Sequence, residues 1–413
     1  MKQVLIRLTN LGLRGTTLVS KFLLIFMLAR FLEPAELGLY GLLTVSISYG
    51  LYFLGFDFYI FTTREILKAE PSGRGQLLKS QVALSLILYA VFLPLTIVLF
   101  GLELLPWWLL PWFMALLVLE HITQELNRLL VALQRQLVAS WVLFFRAGAW
   151  CLAVVGVMFL NESSQELTTV LIGWSAGSSI GMLIGAAVLW RIPMGGWRKA
   201  VDWAWLKKGL KIALPMLIAT LALRGIYTVD RYWFEALAGL DVLGAYVLFI
   251  GMCTALLGFM DAGVFTFQYP AMISAHANNN AGEFRKKFRQ LAWQTVVLTG
   301  LFSACAWFAI MPLLQWLDKP LYLEKIELFG WLLLATGLFV VGMIPHYGLY
   351  ARGNDKPLII SHVAGLLVFL ASTASFATVF TELAVPFGLI SAFVFIMAWK
   401  TLQFYRLTPA NWR

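Results

Sequence analysis

The feature that most limits what this chain can become is the recurrence of apolar runs, each about twenty residues long and divided by short polar connections. A run of that length, wound as a helix, matches the roughly 30 Å of hydrocarbon in a bilayer. Twelve runs are predicted, at 9–31, 38–62, 79–101, 107–133, 137–160, 168–190, 211–232, 242–268, 290–315, 328–350, 357–380 and 383–404. A water-soluble core has no use for so many. The balance of 61% hydrophobic and 13% charged residues agrees, since soluble domains hold roughly 45–50% and 25%. The expectation is an all-α integral membrane protein with about 12 transmembrane helices. The N-terminal MKQVLIRLTN lacks the compact apolar region and small-residue site of a cleaved leader, so the first run is read as a retained helix.

The formal net charge of +10 raises the question of a nucleic-acid partner. Its distribution gives a different reading. With the N-terminus in the cytoplasm, 23 of the 31 Lys and Arg fall on inside segments, among them Lys2, Arg7, Arg128, Lys400 and Arg413. Outside connections hold only Arg30, Arg231, Lys319 and Lys325, beside acids such as Glu33, Glu36 and Glu103. Such asymmetry is what sets orientation in membranes, and it places both termini in the cytoplasm. No nucleic-acid partner is implied; the surrounding partner is membrane lipid.

The basic connection RIPMGGWRKAVDWAWLKKGLK divides the chain into an N-terminal six-helix lobe (1–190), a cytoplasmic linker (191–210) and a C-terminal six-helix lobe (211–413). Two patterns recur across the division. Gly38-Leu39-Tyr40 returns as Gly244-Ala245-Tyr246, and Asp57, Phe61 and Thr62 return as Asp261, Phe265 and Thr266, at offsets of 206 and 204 residues. Each lobe has an even number of spans, so the copies share one orientation. The predicted architecture is therefore two parallel-repeat halves around a central cavity, the arrangement in which transporters hold substrate.

Ionisable residues inside a membrane are costly, and each is a functional candidate. On the first helix, Asn10, Arg14, Thr17 and Lys21 are spaced to share one face, with Lys21 about 18 Å from the helix start. Arg14 can snorkel to the interface; Lys21 is too deep to do so easily. On the seventh helix Arg224, Thr228 and Arg231 share a face. The expectation is that both stripes line the cavity and that Arg14, Lys21 and Arg224 bind an anion; the bland alternative pairs Arg224 with an acid of its own half. Glu120 and Arg146 fall at similar depth on antiparallel helices and are expected to form a structural ion pair. Asp57 and Asp261 lie near cytoplasmic helix ends, where an acid can simply be hydrated or can serve in a gate.

Several chemistries lack their residues. His121, His276, His346 and His362 are scattered without metal-ligand spacing, and Cys151, Cys253 and Cys305 lie in apolar runs. No Gly-rich phosphate loop followed by Lys occurs. The external connections are too short to carry catalytic groups, so no enzyme and no cofactor are expected. A coupling ion, H+ or Na+, is not identified by these residues.

The stretch ARFLEPAELGLYGLL (29–43) resembles a signature of the polysaccharide transporter family, a branch of the multidrug/oligosaccharidyl-lipid/polysaccharide exporter superfamily, through Arg30, Leu32, Pro34, Gly38 and Tyr40. ELNRLLVALQRQLVAS (125–140) and LYARGNDKP (349–357) resemble later family segments. So does the hairpin containing Pro215, Asp230, Arg231, Gly244 and Tyr246. The resemblance implies a Wzx-type flippase of the bacterial inner membrane. Its substrate is expected to be an undecaprenyl-pyrophosphate-linked oligosaccharide, an O-antigen or capsule unit, carried to the outer leaflet by alternating access. It also implies the polymerase and chain-length machinery of that pathway as partners. Two rivals stand beside it: an ion-coupled multidrug exporter of the same superfamily, and a membrane-embedded glycan polymerase or acyltransferase.

Overall fold

The computed structural model describes the backbone of residues 2–412 and the side chains of residues 8–412. The charges counted at Lys2, Arg7 and Arg413 therefore lie outside the described side chains. Among the described residues every regular element is helical. Water is absent from a bilayer core, so a spanning backbone must satisfy its own N–H and C=O groups, which a helix does within each run.

The first half contains α1 (Lys2–Phe31), α2 (Pro34–Gly55), α3 (Tyr59–Lys68), α4 (Pro71–Gly101), α5 (Leu110–Ala132), α6 (Gln136–Phe144), α7 (Trp150–Leu160) and α8 (Leu167–Trp190). The second contains α9 (Trp203–Met260), α10 (Thr266–Ala277), α11 (Ala281–Leu317), α12 (Pro320–Glu324), α13 (Glu327–Val341), α14 (Met343–Tyr350), α15 (Asp355–Ala377) and α16 (Ala384–Leu407). Single π-helical turns, Phe145–Ala149 and Asp261–Phe265, join α6 to α7 and α9 to α10.

Among the described residues ten stretches are long and apolar enough to cross a membrane. Two further spans complete the predicted twelve. The stretch Trp203–Ala277 is a hairpin, because Gly239 adopts φ 84°, ψ 169°, a left-handed conformation that glycine takes without steric cost. The Tyr246 hydroxyl accordingly reaches back to Asp230 at 2.7 Å, and the Phe234 and Tyr246 rings stack at 4.5 Å. In a straight helix Asp230 and Tyr246, sixteen residues apart, would be separated by about 24 Å. The other span is α5, which His121, Gln124, Glu125 and Asn127 make too polar to stand among the ten. Its Glu120 is bonded to Trp174 and Ser178 in the middle of α8, so α5 runs alongside a spanning helix. On α11, Trp293, Leu301, Trp307 and Phe308 are exposed at 71%, 58%, 59% and 79%. Apolar area of that kind is stable against lipid and not against water. The chain is a multi-pass membrane protein.

It folds as two compact units. One comprises Met1–Leu32 and Leu39–Leu217, the other Glu33–Gly38 and Ile218–Arg413. The division falls inside α9, beyond the expected linker 191–210. That connection docks on its own unit: Gly75 N–H donates to Gly195 O at 2.8 Å, Lys79 Nζ to Lys199 O at 3.0 Å, and Asp202 N–H to Ser80 Oγ at 3.0 Å. Backbone that bonds so regularly is part of the unit and not a free tether.

The second unit explains the repeated Gly-x-Tyr. Gly38 and Gly244 lie where the starts of α2 and of the returning arm of α9 cross. A Cβ on Gly38 would collide with the Leu240 carbonyl oxygen, and one on Gly244 with the Pro34 carbonyl oxygen. Each copy of the motif lets the backbone beside the other copy approach, a contact that only glycine permits.

Candidate functional site

In the first unit Asn10, Arg14, Thr17 and Lys21 share a face of α1, and it lies along α6, the π-turn and α7. Arg14 Nε donates to Ser140 Oγ at 3.4 Å, and that hydroxyl donates to Asn10 Oδ1. Thr17 is buried, its hydroxyl donating to Leu13 O at 2.7 Å. A Cβ on Gly148 would meet Thr17 Cα at 3.0 Å, so the π-turn passes close over α1 there. Lys21 lies within electrostatic reach of Arg146, Glu120 and Cys151. Arg14 and Lys21 are exposed. The stripe is therefore the rim of a helix seam with two cations standing out from it.

Glu120 and Arg146 are brought together, with Arg146 Nε donating to Glu120 Oε2 at 2.7 Å. Two further donors, Trp174 Nε1 at 2.9 Å and Ser178 Oγ at 2.7 Å, bind the other oxygen. Trp174 stacks on Trp150 at 5.9 Å, and Trp150 Nε1 donates to Arg146 O at 2.9 Å. A buried carboxylate with one charged and two neutral donors leaves little capacity for a ligand.

The repeated Asp-x-x-x-Phe-Thr marks a break in each half, which the predicted continuous runs did not contain. After Gly55 the chain leaves the helix with Phe56 at φ 52° and Asp57 at φ 49° before α3 begins. Two consecutive non-glycine residues in the left-handed region cost about 1–2 kcal/mol each. In the second half the same position is the π-turn that starts at Asp261, a distortion found often at functional sites. The Thr hydroxyls return to the disturbed backbone, Thr62 to Phe58 O at 3.3 Å and Thr266 to Asp261 O at 2.6 Å. The Phe residues anchor the breaks: Phe61 packs on Trp205 at 5.1 Å and Phe265 on Tyr347 at 4.8 Å. The two aspartates differ, since Asp57 is 5% exposed and Asp261 is exposed.

In the second unit Arg224 is exposed, with Asp261 in electrostatic reach. Thr228 donates to Arg224 O at 2.9 Å. Arg231, expected beside them, is committed elsewhere: its guanidinium bonds to Tyr227 O and to Asp230 Oδ1 at 3.2 Å, with its side chain 13% exposed. Asp230 is fully buried and also accepts from Tyr246, so it locks the α9 hairpin.

Three features escaped the sequence reading. Arg128, assigned to an inside connection, lies within α5 and pairs with Glu125 at 2.6 Å, 3.6 Å over the Tyr59 ring. Gln81 donates to the same Glu125 at 2.7 Å, and Tyr89 bonds His121 Nδ1 at 2.6 Å. These groups line one side of a cavity of about 350 Å³ whose remainder is largely aliphatic. The three-residue spacing of Glu125 and Arg128 was the available signal. Lys400, also assigned to the inside surface, is 1% exposed and bonded to His362 at 3.2 Å. The histidines read as scattered are partly gathered, with His346 and His362 parallel at 6.1 Å.

A family model described as polysaccharide biosynthesis protein matches residues 11–276. No curated protein sequence matches the chain. Among solved structures, an inward-facing multidrug resistance MATE family transporter of the MOP superfamily is similar, with 14% identity and a TM-score of 0.68, covering 98% of this chain and 99% of that one. A MATE protein in a bent conformation gives 15%, 0.61, 98% and 97%. An outward-facing MATE family transporter gives 13%, 0.58, 98% and 94%. The fold is that of MATE transporters.

Proposed function

The chain belongs to the polysaccharide biosynthesis protein family, and on that premise we propose that it is a flippase for a lipid-linked oligosaccharide. The substrate is an undecaprenyl-pyrophosphate-linked unit of an O-antigen or capsule, carried by alternating access from the inner to the outer leaflet of the bacterial inner membrane. Both termini are cytoplasmic. The carrying observation is the division among the charges of the spans. Glu120, Arg146, Asp230 and Arg231 are closed into ion pairs, whereas Arg14, Lys21 and Arg224 are exposed. Exposed cations in a poorly screened setting attract a pyrophosphate and repel an organic cation. This supports an anionic cargo over a cationic drug, and a transporter over an enzyme. Asp57 and Asp261, at the two helix breaks, serve as gating positions; Asn10 and Thr17 accompany Arg14 and Lys21 on α1, and Thr228 accompanies Arg224.

The test is transbilayer movement of a pyrophosphate-linked oligosaccharide lipid in proteoliposomes. Wild type should move it, and Arg14→Ala, Lys21→Ala and Arg224→Ala should each slow it at least about tenfold, the loss of one charge-assisted contact, with unchanged melting temperature. Wild-type rates in all three would remove these cations from the site. Transport of organic cations in place of the lipid would favour the drug-exporter reading, to which the MATE fold is equally suited.

A further inference from the structure

The Lys400 ammonium sits in the last turns of α16, almost without exposure, and has His362 Nε2 as its bonded partner at 3.2 Å. An ammonium carries three donors. Among the described residues no carboxylate pairs with it. A buried charge in that condition is expensive, and one that persists in a membrane helix is a functional candidate. The rings around it form a line to the surface. His362 on α15 is parallel to His346 on α14 at 6.1 Å and 8°. His346 is in turn parallel to Tyr350 at 6.3 Å and 14°, and Tyr350 is 44% exposed. His346 Nδ1 is buried with no hydrogen-bond partner.

We propose that Lys400, His362 and His346 make a proton-binding site in the second unit, and that the ion coupled to transport is the proton. Two protonated groups at these separations repel strongly in a weakly screened interior, so the cluster holds one positive charge at a time. The proton enters past Tyr350, resides on an imidazole or the amine, and leaves by the same line. Neutral imidazole is the side chain suited to exchange near neutral pH. A sodium ion needs a shell of oxygen ligands, and an ammonium with two imidazoles supplies none. The titratable groups that face the cluster and its entry line are His346, Tyr347 and Tyr350 from α14, His362 from α15 and Lys400 from α16. Tyr269 from α10 stacks on Tyr347 at 5.4 Å and lies 6.1 Å from Tyr350, Asp261 is in electrostatic reach of Tyr347, and α9 meets His362 at the Ala219 backbone. The helices α13 and α9 present Phe339 and Tyr227 to α16 at Phe393, two turns from Lys400.

The coupling half of this proposal rests on the transport reading; the binding half does not. Protons are therefore counted on the substrate-free full-length protein in lipid nanodiscs, moved from pH 9 to pH 5 in weak buffer. Wild type should take up about one proton per chain more than the triple variant Lys400→Met, His362→Asn, His346→Asn; equal uptake overturns the site. If the triple variant does not fold, wild type labelled with ¹⁵N at histidine decides. The His346 and His362 signals should shift together with pH, and two invariant signals overturn the site. In proteoliposomes an imposed gradient of about one pH unit should bias the leaflet distribution of the carried lipid by about tenfold, and Lys400→Met should remove the bias. Transport indifferent to the gradient overturns the coupling. Proton uptake without any lipid movement leaves the site standing and removes the substrate reading.

Discussion

Glu120 shows how a single residue decides whether a charge in a membrane is structure or function. Its oxygens collect Arg146, Trp174 and Ser178 from two other spans, so it fixes the first unit from within. Glu120→Ala leaves a buried guanidinium without its counter-ion and should destabilise the protein by about 3–5 kcal/mol. Glu120→Gln keeps acceptor capacity for Trp174 or Ser178 and should cost less. Thermal unfolding in detergent micelles checks the order, and equal melting temperatures for the two variants and wild type would contradict it. The pairing of Glu120 with Arg146 was legible from depth alone, because antiparallel helices in one membrane share a coordinate. Burial of Lys400 was not. A lysine near the end of an apolar run reads as a surface charge, and only the packing of α14, α15 and α16 shows otherwise. Arg231 misled in the same way: its spacing matched Arg224, but its neighbour Asp230 holds it.

Helices carry the next level of information. Run lengths were legible because lipid thickness imposes them, and the turn at Gly239 falls between two predicted runs. The breaks at Phe56–Asp57 and at Asp261 were visible as a repeated pattern but not as distortions, since no local propensity prescribes left-handed Phe or an extra residue in a turn. Glycines give this scale its sharpest test. Gly244→Ala places a methyl group against a carbonyl oxygen of the chain at Pro34, and Gly38→Ala does so at Leu240. Each should lower stability by about 1–3 kcal/mol as overpacking. Gly12 in α1 has nothing within 4 Å of its would-be Cβ, and Gly12→Ala should be neutral or stabilising by about 0.5–1 kcal/mol. Melting temperatures of the three variants, compared side by side, decide the matter; a loss at Gly12 equal to that at Gly244 would contradict the contact.

For the whole molecule, charge asymmetry across the bilayer is the main determinant of orientation. Moving Lys400 from the C-terminal segment to the interior leaves that expectation intact, because Arg191, Arg198, Lys199, Lys207, Lys208 and Lys211 still crowd the central connection assigned to the same side. A fluorescent protein that matures only in the cytoplasm should light up when fused at either end, and darkness at one end would give an odd number of crossings. The paired glycines add something that stability alone does not express. Because each motif copy admits the backbone beside the other, the two sites share one gap. A methyl group entering on one side prises it open and lowers the penalty for the second, so the double variant should lose less than the two single losses together. Mutational histories at positions 38 and 244 are thereby tied: neither half of the sequence can drift at its glycine without changing what the other half tolerates.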